Sequence, residues 1–127
     1  EFFYEMFAGN YIITTDAEQN RNLLSVKKVL EYISIHYREP LSVKELSGIS
    51  NYSEFYFMKL FKQYTGKTAA AYLNDYRLEK AKSLLLHTDN SVTDIAIEVG
   101  FNNTSYFIKK FQEANQISPH KFRKKMS

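Results

Sequence analysis

Apolar residues along this chain recur at steps of three and four, the spacing of one face of an α-helix, and short polar clusters interrupt them. Leu23, Val26, Leu30, Ile33 and Tyr37 predict a first helix, which Pro40 stops. Ser42 and Glu45 have capping-box spacing, in which hydroxyl and carboxylate each accept from a free amide hydrogen of the first turn. They predict a short helix ending near Gly48. Ser53 is the next N-cap, Phe57, Leu60, Phe61 and Tyr64 form the stripe behind it, and Thr65-Gly66 terminates it. Thr68 opens a long helix through about Leu86 that turns Leu73, Tyr76, Ala81, Leu84 and Leu85 inward.

The pattern then recurs. Ser91 caps a short helix, Gly100 falls in the following turn, and Asn103 caps a helix with Phe107 and Phe111 on its apolar stripe. Ser118-Pro119 starts a last helix, with proline where its missing amide hydrogen costs nothing. Apart from Tyr11 to Thr15, no segment alternates with period two. The predicted class is all-α, with about seven helices. Residues 1–20 are aromatic-rich but broken by Gly9-Asn10. They fit the end of an upstream domain, an interdomain linker, or a helix docked on this one.

The recurrence is a repeat. At an offset of 49, Ser42 meets Ser91, Val43 meets Val92, Glu45 meets Asp94 and Leu46 meets Ile95. After the turn the offset is 50, where Ser53 meets Asn103, Tyr56-Phe57 meets Tyr106-Phe107, Lys59 meets Lys109, Phe61 meets Phe111, Thr68 meets Ser118 and Tyr72 meets Phe122. The unit is a short helix, a tight turn and a longer helix. Two readings remain open. Two helical hairpins can stack as in a small solenoid, or the second helix of each can be a recognition helix for the DNA major groove. The outward face carries Phe55, Met58, Lys59 and Lys62 in the first unit, and Thr104, Ser105, Ile108, Lys109 and Gln112 in the second. Such residues hydrogen-bond base edges or phosphates, or pack on thymine methyl groups.

Charge sharpens this picture. The net charge is +3, but residues 1–40 carry four basic and six acidic groups, whereas residues 41–127 carry thirteen and eight. Lys121, Arg123, Lys124 and Lys125 crowd the end, so the later part suits a polyanion. Hydrophobic residues make up 44% and charged ones 24%, a balance that folds. No apolar run reaches the roughly 18 residues of a membrane span. No helix has both a greasy and a strongly basic face, so a membrane-surface bundle is disfavoured. A helical protein-interaction module would need a continuous exposed apolar stripe, which here is limited to Phe55-Met58 and the N-terminal aromatics. With no cysteine there is no disulfide or thiol nucleophile, which fits a cytoplasmic location. His36, His87 and His120 lack ligand partners at metal spacing, and four isolated glycines make no phosphate-cradling loop. Neither an enzyme nor a metal or other cofactor is expected. Because the chain begins at Glu1, it is read as a piece of a longer protein.

Taken together, Leu41-Ser42-Val43-Lys44-Glu45-Leu46, Phe57-Met58-Lys59-Leu60-Phe61-Lys62, Tyr76-Arg77-Leu78-Glu79-Lys80-Ala81, Ile95-Ala96-Ile97-Glu98-Val99-Gly100-Phe101, Ser105-Tyr106-Phe107 and Ser118-Pro119-His120-Lys121-Phe122-Arg123 resemble the AraC/XylS family of bacterial transcription regulators. The resemblance covers about residues 21–127. It implies an all-α DNA-binding domain with two helix-turn-helix subdomains, residues 21–67 and 88–127, joined by a rigid linker helix over 68–87. Each would insert its second helix into successive major-groove segments of double-stranded DNA. By family position, Phe55, Met58, Lys59, Thr104, Ser105, Ile108 and Lys109 would read bases, while Ser53, Lys62, Asn103, Gln112, Ser118 and Lys121 would contact phosphate. The chain departs from the family where Lys59 and Lys109 replace a frequent arginine and Met58 replaces a polar reader. That favours methyl contacts over bidentate guanine readout. RNA polymerase is an implied partner, and a homodimer would form through an upstream region. Arg77 is read as the structural partner of an acid and Tyr56 and Tyr106 as core, while Lys124 and Lys125 are either a solvated tail or part of the basic end that suits a polyanion.

Overall fold

The computed structural model describes residues 14–126, which contain seven helices and no strand. They are α1 Asp16–His36, α2 Val43–Ser50, α3 Glu54–Thr65, α4 Ala69–His87, α5 Val92–Glu98, α6 Thr104–Asn115 and α7 Pro119–Met126. The expectations for residues 1–13 lie outside the described residues, and Thr14-Thr15 is not a strand. The all-α class holds. Two compact units divide the described residues: one comprises those up to His36 together with Leu41–Tyr72, the other Tyr37–Pro40 together with those from Leu73 to Met126.

In the first unit α1 begins earlier than its apolar stripe suggests, because Thr15 and Glu18 form a reciprocal capping box. The Thr15 amide donates to Glu18 Oε1 at 2.9 Å and the Glu18 amide donates to Thr15 Oγ1 at 3.2 Å. These bonds hold the exposed Glu18 carboxyl below its ordinary range, the Thr15 amide contributing most. The inward stripe of α1 is Asn22, Val26, Val29 and Ile33. This corrects the expected face, since Leu23 points outward and Leu30 is only half-buried. The polar Asn22 is turned inward because it donates to the Tyr56 hydroxyl and accepts from the Tyr52 hydroxyl. A count of apolar residues alone passes over such a position.

Two further corrections concern α2. Ser42 Oγ accepts from the Glu45 amide at 3.1 Å as expected, but the Glu45 carboxylate accepts instead from the Tyr32 hydroxyl at 2.6 Å. Gly48 does not end the helix. The chain turns at Asn51, which takes a left-handed φ of 64° that a short polar side chain tolerates. The α3 helix then runs from its Ser53 cap to Gly66, left-handed at φ 82°.

The second unit repeats this path with different side chains. Ser91 caps α5, Asn103 caps α6, and the Ser118 hydroxyl accepts from the Lys121 amide at the start of α7. Asn51 matches Gly100, and the Tyr52 amide bond to Ser47 matches the Phe101 amide bond to Ala96, all at the offset of 49. The extra residue of the second repeat is therefore Asn102, between Phe101 and the cap Asn103. Each unit also carries the same aromatic ladder. Phe57, Phe61 and Tyr72 meet tilted and then edge-on at 5.6 Å steps, and Phe107, Phe111 and Phe122 likewise at 5.8 and 5.5 Å.

Buried Arg77 fixes the turn of the second unit. Its Nε donates to the Tyr37 carbonyl at 2.7 Å and its Nη2 to the Glu39 carbonyl at 2.8 Å. The expected acid partner is replaced by two backbone carbonyls, and burial holds the guanidinium below its ordinary value. Arg123 repeats the device at the end of α4, donating to the carbonyls of Leu85 and Thr88. Side chains that grip carbonyls beyond a helix C-terminus satisfy acceptors that the helix itself leaves open.

Candidate nucleic-acid interface

The α3 and α6 helices have twelve residues each and share one design. A cap side chain accepts from the amide three residues on, Ser53 from Tyr56 at 3.2 Å and Asn103 from Tyr106 at 2.9 Å. This fixes where the helix starts, and therefore which residues face outward. Phe57, Leu60 and Phe61, or Phe107 and Phe111, are wholly buried.

The opposite face of α3 exposes Phe55 (72%) and Met58 (51%). Lys59 is half-buried with its ammonium 5.1 Å from the Phe55 ring centre, and Lys62 is exposed. On α6 the side chains of Ser105, Lys109 and Gln112 are exposed, while Thr104 and Ile108 are half-buried. Lys109 and Gln112, with Glu113 and Gln116, border an open depression. The neighbouring Lys110 is engaged elsewhere, 3.3 Å from the Glu113 carboxylate and over the Tyr106 ring. Within each unit, then, the base-reading candidates share one helix face. The fold gives every one of them at least partial access to solvent.

The phosphate candidates divide by chemistry. Lys62, Gln112 and Lys121 are exposed side chains, the first two on α3 and α6 and the third on α7. Ser53, Asn103 and Ser118 already use their oxygens as cap acceptors, which leaves the serine hydroxyl hydrogens and the Asn103 amide hydrogens as donors. A helix N-terminus adds free backbone N–H groups and positive potential. Lys124 and Lys125 lie in the last turn of α7 rather than in a tail, and both are exposed.

Two residues were misjudged or missed from the sequence. Tyr106 is 43% exposed rather than core. Its hydroxyl accepts from Asn74 at 3.2 Å, just as the half-buried Tyr56 accepts from Asn22 at 3.2 Å. Glu54, at the first position of α3 and exposed, stands where the repeat has Thr104. The offset of 50 is the signal that finds it. A carboxylate there repels phosphate but can accept from the cytosine amino group.

Among the described residues no group of three or more His, Cys, Asp or Glu side chains could hold a metal ion, and no helix is long and apolar enough to cross a membrane.

This geometry agrees with what comparison with known proteins finds. A helix-turn-helix domain family model matches residues 46–125. Regulatory protein PocR of Salmonella typhimurium is 37% identical over 102 residues, 80% of this chain and 34% of that protein. The C-terminal domain of the two-component response regulator yesN from Fusobacterium nucleatum superposes with a TM-score of 0.72 at 35% identity, covering 75% of this chain and 93% of that one. The DNA-binding domain of AdpA, solved in complex with a target DNA, superposes with a TM-score of 0.76 at 25% identity over 79% of this chain and 90% of that one. The chain belongs to the AraC-type helix-turn-helix family of transcription-regulator DNA-binding domains. It spans 34% of the length of PocR and as little as 14% of other curated relatives it matches.

Proposed function

We propose that this domain binds double-stranded DNA sequence-specifically and controls bacterial transcription, with α3 and α6 entering successive major-groove segments. The observation that carries this is the matched pair of capped helices, each presenting a face of exposed and half-buried side chains opposite buried phenylalanines. That AdpA was solved on a target DNA supports the reading. Phe55, Met58 and Lys59 on one helix and Thr104, Ser105, Ile108 and Lys109 on the other read bases. Ser53, Lys62, Asn103, Gln112, Ser118 and Lys121 anchor phosphates. The chain divides functionally into residues 21–67, a linker helix 68–87, and residues 88–127. In this reading the whole regulator works in the cytoplasm, communicates with RNA polymerase, and pairs with a second copy through an upstream region.

The test is selection of bound sequences from random duplexes at about 100 to 150 mM salt, where nonspecific phosphate binding is suppressed. The expected result is an asymmetric motif of two blocks about one turn apart, with Lys59→Ala relaxing one block and Lys109→Ala the other. A motif with a single block would make one unit a structural or protein-docking module, and the absence of any motif would remove the reading.

A further inference from the structure

The repeat makes the two recognition helices comparable position by position, and they differ most at one place. Phe55 on α3 stands where α6 has Ser105. Phe55 is the most exposed of the large apolar residues described, and Met58, one turn along the same face, is half exposed. Isolated apolar residues are ordinary on a protein surface. Here two of them adjoin on one turn, and the Lys59 ammonium lies over the Phe55 ring. At the matched positions α6 presents a hydroxyl and a half-buried isoleucine.

We infer that the two helices read different chemistry: α3 recognises the C5-methyl groups of thymine through Phe55 and Met58, whereas α6 reads polar base edges through Ser105 and Lys109. The inference rests on the DNA-binding reading and deepens it. In the major groove the only apolar feature of an unmodified base edge is the thymine methyl. An apolar pair at the tip of a capped helix therefore finds its complement there. A protein partner would be met by an apolar stripe running along the helix, but Lys59 and Lys62 interrupt this one. Lys62 beside these apolar side chains and the base-facing Lys59 matches a methyl-bearing edge flanked by phosphate.

The experiment starts from the selected duplex and replaces each thymine in turn with deoxyuridine, which removes the methyl and leaves every hydrogen-bonding group. Burying one methyl corresponds to about a fourfold change in affinity. The expected result is a loss of about three- to fivefold at one or two thymines of the block that Lys59→Ala relaxes, with a smaller effect in the block that Lys109→Ala relaxes. The double variant Phe55→Ser, Met58→Ala should bind the thymine and uridine duplexes equally. Both positions are exposed, so its unfolding temperature should match that of the parent.

The inference is overturned, with DNA binding intact, if uridine is neutral throughout the Lys59-dependent block. The same follows if the thymine preference survives in the double variant, or if the Lys109-dependent block is the more methyl-sensitive. A domain with no sequence preference at all overturns both this inference and the function on which it rests.

Discussion

The two units run the same backbone path and close it with different locks. In the first, the turn between short and long helix passes through Asn51, exposed and left-handed, and Tyr52 anchors it to Asn22 through a cluster of neutral hydrogen bonds. In the second, the matched residue is Gly100, and Phe101 beside it lies under a buried guanidinium, 5.8 Å from its ring centre. A Cβ on Gly100 would sit 2.7 Å from both Arg77 Nε and the Tyr37 carbonyl oxygen. A helix-turn-helix backbone thus tolerates either lock, but each lock dictates its own turn residue. Asparagine serves where the turn faces solvent, and glycine is needed where an arginine crosses it.

Gly100→Ala should be the most damaging change, combining a φ of 109° with an unavoidable clash. We expect a loss of about 3 kcal/mol or more in denaturant unfolding, with exchange protection lost first in α5 and α6. Asn51→Ala, its counterpart, should cost only about 1 kcal/mol. Equal losses at both positions would show that the clash with Arg77 contributes nothing. Arg77→Lys should follow, at about 2 kcal/mol, because a single ammonium cannot reproduce the guanidinium fork that satisfies two carbonyls. Full stability in that variant would refute the clamp.

Asn22→Ala tests the neutral lock and should remove about 1 to 2 kcal/mol, with chemical-shift changes centred on Tyr52 and Tyr56. Changes centred on α6 and α7 instead would mean that the cluster is not local to the first unit. The smallest effect is expected at the helix exits. Gly66 and Gln116 match at the offset of 50 and both are left-handed, at φ 82° and 65°. Gln116→Gly should raise stability by about 0.5 to 1 kcal/mol in thermal unfolding, and any decrease would contradict the strain assigned to that residue.

Much of this architecture was readable before any coordinates. Cap residues announce themselves because their oxygens must meet free amides, so Ser42, Ser53, Thr68, Ser91, Asn103 and Ser118 located six helix starts. The buried phenylalanines followed from helical spacing, and the outward faces of α3 and α6 followed from them. Misreadings came where a polar group is buried or a partner is distant in sequence. Asn22 turned the face of α1, Tyr32 took the carboxylate expected to cap α2, and Arg77 found carbonyls about forty residues away instead of an acid.

By itself, then, the sequence determined the helices, their repeat and the two candidate reading faces, because helical periodicity and capping are set by residues three or four apart. Tertiary structure alone decided which turn residue each unit can tolerate. It also placed the extra residue at Asn102 and carried the Arg77 guanidinium to the Tyr37 and Glu39 carbonyls and over the Phe101 ring. Those outcomes depend on where a whole side chain comes to rest against its neighbours, and spacing along the chain does not encode that.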